Sequence, residues 1–335
     1  MESPPHPSII STSIAIEAPP KSKQLQLFRK VAKKFAQLCL SLFALLSICF
    51  VIMHLVPGDP FQDEQAVPQE VLDNLRHKYG LDRPILSQYA SYLNRVLHGD
   101  LGTSMRYPSE SVVKIIGNSF PVSIHLGVQA LALAVIFGLS LGSWSAYRSN
   151  HKFDVGMTIG STLGVSIPSF VIAATIQLLF SLYWPIFPVA RWDSFSHTVL
   201  PSIALSVGPA CAIMRIMRAS MLDTLGKEWV MMARMKGMSE CRVLLVHVIP
   251  NALLPVLHYM GPITANLLTG SFVIERVFCI PGLGQWFVLG VMSRDYPLIA
   301  GLTLFYSVVL YLVHTVIDII TSWFNKRLSQ NEGAR

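Results

Sequence analysis

Long apolar runs with few charges recur along this 335-residue chain and constrain its fold more than any other feature. A helix needs about 20 such residues to cross the hydrocarbon core of a bilayer. Only 13% of the residues are charged, against about 25% in soluble proteins. The sequence therefore predicts an all-α membrane protein with about six transmembrane helices, within residues 35–56, 122–147, 155–184, 199–217, 252–274 and 299–322.

The first run follows a segment of different composition. Residues 1–34 open with a Pro- and Ser-rich stretch and end in six Lys and Arg residues, which predicts a disordered basic tail. A cleaved signal peptide is the alternative for residues 35–56, but its apolar region would span only about 7–15 residues before a small-residue cleavage site. This run is longer and ends in Pro57-Gly58-Asp59-Pro60, so we predict an uncleaved first transmembrane helix.

Basic residues are distributed unequally between the two sets of loops. Seventeen Lys and Arg residues lie in the tail, at the C-terminal end and in two loops, which follow the second and the fourth predicted spans. Nine lie in the loops that face the other way. Six of those nine lie in the long loop 57–121, where charge has little influence on orientation. The distribution predicts that both termini are cytoplasmic and that residues 57–121 lie outside.

The outer loop carries two apolar patterns of helical period. Val71, Leu72, Leu75 and Tyr79 share one face before Gly80, and Leu86, Tyr89, Leu93 and Val96 share another before Gly99. We predict two short amphipathic helices that pack on the outer surface of the bundle. Docking of another protein on these faces is the alternative.

The loop between the fourth and fifth spans, residues 218–250, is predicted to contain a short helix between Gly226 and Gly237 with two apolar stripes. One stripe holds Leu225, Trp229, Met232 and Ala233, and the second holds Met231, Met235 and Met238. A short helix is marginal alone, so one stripe is expected on this chain's own spans and the other on a partner. Methionine suits a partner groove because its thioether is flexible. Burial of both stripes within this subunit is the alternative.

Motifs of an energy-converting enzyme are missing from the sequence. The one Gly-Lys pair, Gly226-Lys227, is followed by Glu228 rather than Ser or Thr, so no phosphate-binding loop occurs. An ion-coupled carrier would hold ionisable groups deep in its spans, where the sequence offers few candidates. These candidates are Asp318, His125, His258 and His314. The five cysteines suggest no disulfide framework, and we expect no cofactor, metal site or catalytic residue.

An ordered set of motifs between residues 31 and 325 resembles the dipeptide/oligopeptide/nickel-type permeases of bacterial ABC importers. The family-motif residues are Pro57, Gly58, Asp59, Pro60, Gly102, Ser104, His247, Asn251, Pro255, Glu275, Pro281, Gly282, Gly284, Asp295 and Pro297. The resemblance implies a type I importer permease fold, with a core permease domain over residues 122–325 and a structured outer loop after the first helix. It also implies a location in the bacterial inner membrane.

The resemblance further implies that the inner loop couples to a separate ATPase. The residues implied are Trp229, Met231, Met232, Ala233, Arg234, Met235, Lys236, Gly237 and Met238. Met231 and Met232 replace the Glu-Ala of the general loop pattern, and Asn325-Lys326-Arg327 replaces a C-terminal Asp-Pro-Arg. The implied partners are a second homologous permease, two ATPase subunits or domains and a substrate-binding protein.

The expected function is the transmembrane permease subunit of an ATP-driven importer. Peptides are the family's commonest cargo, and metal chelates or other small solutes are the alternatives. A degenerate permease with a structural or receptor role is the alternative from a different class.

Overall fold

A computed structural model of the chain describes residues 21–55 and 69–333. Those residues form helices and connecting loops, with one isolated β-bridge between Thr103 and Ser111. The helices are α1 (Lys21–Leu55), α2 (Gln69–Tyr79), α3 (Ile85–Leu97), α4 (Val112–Tyr147), α5 (Lys152–Ser166), α6 (Ser169–Gln177), α7 (Phe195–Leu225), α8 (Glu228–Met235), α9 (Glu240–Arg242), α10 (Ile249–Leu268), α11 (Phe272–Val277), α12 (Leu283–Met292) and α13 (Tyr296–Gly333). Two π-helical segments, Leu178–Tyr183 and Val243–Val248, continue α6 and precede α10.

Five helical segments in the described part of the chain have the length and composition of membrane spans. They are Ala32–Leu55, Val112–Tyr147, Phe195–Leu225, Glu240–Val277 and Tyr296–Phe324. A sixth span results if the bent pair Lys152–Ser166 and Ser169–Tyr183 is counted as one. The all-α membrane fold predicted from the apolar runs is therefore confirmed.

The third predicted span is not a continuous helix. Its two halves meet at an angle of 101°. Pro168 has no backbone N–H, and the residue before a proline avoids helical dihedrals. Ile167 accordingly adopts the extended values φ −79° and ψ 124°. The single helix expected over residues 155–184 is thus corrected to a broken one.

The first helix also starts earlier than expected. It begins at Lys21 rather than at Phe35, so residues 21–34 are helical and the prediction of disorder is wrong for them. Lys, Gln, Leu, Arg and Ala dominate this stretch and are all good helix formers. Residues 1–20, the rest of the predicted tail, lie outside the described residues.

The described residues from Leu46 onward form one compact unit in which α4 and α7 run parallel. Gly138 of α4 lies against Ile213 of α7, and Gly142 lies one turn further along against Met214 and Met217. A Cβ atom added to Gly142 would come within 2.6 Å of the Met214 carbonyl oxygen. Because the two backbones touch at these glycines, α4 and α7 are expected to move as one body.

The two helices predicted in the outer loop are confirmed as α2 and α3. The Tyr89 hydroxyl lies 2.5 Å from the Ser47 hydroxyl at the end of α1, and the Tyr89 ring packs 5.1 Å from the Phe50 ring. Leu86, expected on the packed face, is exposed. The apolar face of α3 thus packs on α1 through Tyr89 and its neighbours.

Candidate functional site

Helix α8 is a short surface helix set off by breaks on both sides. Gly226 ends α7, and Lys227 is extended, which lets the chain turn before α8 begins at Glu228. After α8 ends, Gly237 adopts φ +79°, a left-handed value that glycine tolerates without strain. The loop therefore presents eight residues as an independent helix against the bundle.

One face of α8 is buried on the protein's own helices. Val230 is fully buried and Ala233 nearly so, in the same apolar cluster as Met217 and Met221 of α7. Trp229 packs against this cluster, and its ring lies 6.4 Å from the ring of buried His247. Asn251 donates a 2.7 Å hydrogen bond to the His247 carbonyl and so stabilises the π-helical turn that holds the histidine. His247 thereby contacts α8 through Trp229, and Asn251 fixes the turn that carries His247.

The opposite face of α8 is an exposed apolar surface, which we call the methionine face. It consists of Met231, Met232 and Met235, which are 64%, 53% and 71% exposed. Large apolar side chains clustered on a surface are typical of an interaction site. Their flexible thioethers can fit an irregular groove.

The assignment of residues to the two stripes was wrong at two positions. Met232 was expected on the buried side but is exposed, whereas Met238 was expected on the partner side but packs against the buried cluster. Val230, which the stripes omitted, is the most buried residue of the helix. The helix is rotated so that Val230 and Ala233 point inward, and the turn at Gly237 carries Met238 back to the bundle.

Charged groups border the methionine face. The Arg234 guanidinium binds both carboxylate oxygens of Glu240, at 2.9 and 3.2 Å. This pair closes the turn that follows α8, so Arg234 is engaged within the chain. Lys236 is exposed, and Lys227 forms an exposed ion pair with Asp223 at 3.2 Å. The exposed surface thus combines an apolar centre with a partly basic edge.

Two family-motif residues far apart in sequence meet at the turn between α12 and α13. Ser104 and Asp295 are both fully buried, and the Ser104 hydroxyl donates a hydrogen bond to the Asp295 carboxylate. The same carboxylate accepts hydrogen bonds from the N–H groups of Arg106 at 3.3 Å and Leu298 at 3.2 Å. Asp295 therefore caps α13 and anchors the outer loop to it.

Gly102 and Pro297 adjoin this anchor. Gly102 adopts φ +83°, and a Cβ atom there would lie 2.7 Å from the Arg95 guanidinium and 3.3 Å from Pro297. The Gly102 N–H donates a 2.8 Å hydrogen bond to Asp100, which also binds Arg95 at 3.0 Å. These contacts lower the pKa of Asp100, the Gly102 hydrogen bond most of all. Only glycine suits this position, on grounds of both dihedral angle and space.

A second group of motif residues surrounds a buried carboxyl, that of Glu275. It accepts hydrogen bonds from the Ser123 hydroxyl of α4 at 2.9 Å and from the N–H groups of Gly284 and Gln285 at 2.8 and 3.3 Å. A Cβ atom at Gly282 would approach this carboxyl to 2.5 Å. Glu275 therefore satisfies the first N–H groups of α12 and fastens the turn between α11 and α12 to α4.

The remaining motif residues occupy separate places. Pro281 is exposed in the turn before α12, and Pro255 is exposed within α10. Pro57, Gly58, Asp59 and Pro60 lie outside the described residues. Most of the described motif residues thus fall into three groups: His247 and Asn251 beside α8, Ser104 and Asp295 with their neighbours, and the residues around Glu275.

Sequence reasoning missed one buried ion pair, between Asp154 and Arg218. Both residues lie one position outside the predicted spans 155–184 and 199–217. Opposite charges at the ends of two neighbouring spans were the signal that could have identified them. Two of the candidates considered instead make other contacts. His258 bonds to the Leu254 carbonyl of its own helix at 2.8 Å, and the His125 ring packs edge-on against Trp192 at 5.5 Å.

Comparison with known proteins agrees with this architecture. Residues 138–330 match the family described as binding-protein-dependent transport system inner membrane component, and residues 27–127 match the N-terminal model of such membrane components. The dipeptide transport system permease protein DppB of Bacillus subtilis (strain 168) is 39% identical over 300 residues, covering 90% of this chain and 97% of that one. The oligopeptide transport system permease protein OppB of Escherichia coli (strain K12) is 40% identical over 282 residues, covering 84% and 92%.

A solved structure shares the fold at low sequence identity. The MetNI methionine ABC transporter in an inward-facing conformation matches with a TM-score of 0.54 and 15% identity, over 63% of this chain and 96% of that one. Since the family model spans more than half of the chain and the relatives are similar over nearly their whole lengths, this chain belongs to the family of binding-protein-dependent transport system inner membrane components.

Proposed function

We propose that this chain is the membrane-spanning permease subunit of an ATP-driven importer of peptides. Family membership supports the importer, and the relatives named as dipeptide and oligopeptide permeases support the substrate class. Peptides enter the pathway from a separate substrate-binding protein on the outer side. The chain itself is a non-catalytic subunit that forms the pathway together with a second, homologous permease.

The methionine face of α8 is the observation that carries the proposal. A helix fixed on one side by Val230 and Ala233, with apolar side chains exposed on the other, is suited to dock in a groove of another protein. The partner is a cytoplasmic ATPase subunit, one for each of the two permeases. Helix α8 then transmits closure of the ATPases to α7, which it follows directly in the chain.

The proposed orientation places α8 and both termini in the cytoplasm of a bacterial cell. The excess of Lys and Arg on the α8 side supports it. The outer anchor of Ser104 and Asp295 then holds the loop that faces the binding protein. Alternating access results when ATP binding favours one of two arrangements of the membrane helices.

Uptake of labelled peptide into vesicles tests this function. The chain would be reconstituted with its homologous permease, the ATPase subunits and the binding protein, with ATP supplied on the ATPase side. We expect uptake of a labelled dipeptide or oligopeptide that needs ATP and the binding protein. The chain purified alone should hydrolyse no ATP. Uptake of a nickel chelate but of no peptide would contradict the substrate class, and hydrolysis by the isolated chain would contradict the division of labour.

A further inference from the structure

The Asp154–Arg218 ion pair is the most completely bonded ionic contact in the described bundle, and neither residue belongs to the motifs discussed above. The Asp154 carboxylate is 2% exposed. Its oxygens accept hydrogen bonds from Arg218 Nε at 2.5 Å and Nη2 at 2.7 Å, from the Ser145 hydroxyl at 2.5 Å and from the Asn150 N–H at 3.0 Å. Such a two-pronged arginine contact fixes orientation as well as distance.

The pair joins the first half of the broken third span to α7. Asp154 lies in the first turn of α5, the half of the span that precedes the 101° bend. Arg218 lies near the end of α7, shortly before α8. Ser145 belongs to α4, which touches α7 through glycines. The ion pair therefore attaches α5 to the combined α4–α7 body at the end that carries α8.

α5 packs on α7 along one face and leaves its other face exposed. A Cβ atom added to Gly156 or Gly160 would meet nothing within 4 Å, and Val155 and Ile159 are exposed. Gly164, at the far end of α5, lies against Cys211 of α7, and the Phe153 ring packs on Trp144 of α4 at 4.8 Å. At its first turn α5 is thus held by the ion pair and by this aromatic contact, in addition to its packing on α7.

We propose that Asp154 and Arg218 are positioning residues that make α5 follow α7 when α8 is moved by the ATPase. This inference depends on the proposed function, because it assigns the pair a part in ATP-driven transport. The geometry fits the task, since a bidentate ion pair resists both separation and rotation. Stability alone is a poor explanation for the pair, whose arginine side chain is still 26% exposed. Replacing even a fully buried ion pair by apolar side chains is often neutral or stabilising, whereas removing one partner is costly.

Variants that separate folding from coupling test the proposal in the reconstituted complex. Asp154→Asn leaves Arg218 without its partner charge and should lower both the yield of folded permease and uptake. The double variant Asp154→Leu/Arg218→Met removes both charges and should restore the folded yield, ATPase binding and ATP hydrolysis. Peptide transported per ATP hydrolysed should nevertheless fall by about threefold or more in the double variant. Asp73→Asn, which removes an exposed ion pair with Arg76 in α2, is the matched control and should keep the wild-type ratio.

Arg218→Lys decides the question if the double variant fails to fold. It keeps the charge but loses the two-pronged contact, so we expect folded permease with a reduced ratio of transport to hydrolysis. A wild-type ratio in whichever of these two variants folds would overturn the proposal and leave the pair a purely structural role. Absence of peptide uptake by the wild-type complex in the same assay would instead contradict the proposed function.

Discussion

Replacing Met235 by aspartate is expected to release the ATPase from a permease that still inserts and folds. Met235 is the most exposed residue of the methionine face and makes no part of the buried cluster under α8, so the folded permease should tolerate the change. In the complex, the new carboxylate would be buried in the partner's apolar groove. An unpaired buried charge costs several kcal/mol, which corresponds to a loss of at least about 100-fold in affinity. Co-purification of the ATPase, normalised to folded permease, measures this loss.

Two variants serve as controls for Met235→Asp. Leu97→Asp places the same charge at an apolar position of the outer loop that is 84% exposed, and it should retain the ATPase. Trp229→Ala removes an aromatic side chain from the buried side and should lower the free energy of unfolding by up to about 3 kcal/mol. The amount of folded permease should fall, while the folded fraction still binds the ATPase. If Met235→Asp kept the ATPase and Trp229→Ala released it from a well-folded permease, the two faces would be assigned the wrong way round.

Replacing Asp295 by alanine is expected to destabilise the permease by several kcal/mol. The change leaves the Ser104 hydroxyl and the N–H groups of Arg106 and Leu298 without their acceptor. Each buried unsatisfied group costs about 1–3 kcal/mol. Thermal unfolding of the detergent-solubilised chain should show a midpoint lowered by several degrees, with a reduced yield of folded protein.

The control for Asp295→Ala is the same change at an exposed aspartate. Asp193, whose side chain is 67% exposed, lies 3.9 Å from His197, and its replacement by alanine should alter stability by no more than about 0.5 kcal/mol. Asp295→Asn should fall between the two, since its amide oxygen can still accept while its NH₂ group cannot. Equal unfolding midpoints for Asp295→Ala and Asp193→Ala would show that the outer anchor contributes little.

The helices were predictable because their signal is local. Apolar runs of sufficient length identified the membrane spans. The helical period of the loop after the first span identified α2 and α3. Pro168 within the third run indicates a kink or a packing bend but not a break of 101°, because a proline in a membrane helix can either kink or break it depending on its neighbours. α1 starts early because the charged residues before the apolar run are good helix formers. The length of an apolar run carries no information about such a charged extension.

The rotation of α8 and the ionic contacts needed the tertiary structure. Residues 229–235 include apolar side chains around most of the helix, so sequence alone could not decide between Val230 and Met232 as the inward residue. The pairs Ser104–Asp295 and Asp154–Arg218 join residues far apart in the chain, and no periodicity connects them. Motif resemblance identified Ser104 and Asp295 individually, but not that one binds the other.

Site-specific photocrosslinking in intact cells tests most directly the claim that α8 docks on a cytoplasmic ATPase. A photoreactive benzoylphenylalanine would replace Met235 in one strain and Leu97 in another, since both positions are exposed and apolar. We expect an adduct between the permease and the ATPase subunit from position 235 and none from position 97. An ATPase adduct from position 97, or none from position 235 in a complex that still transports, would contradict the claim.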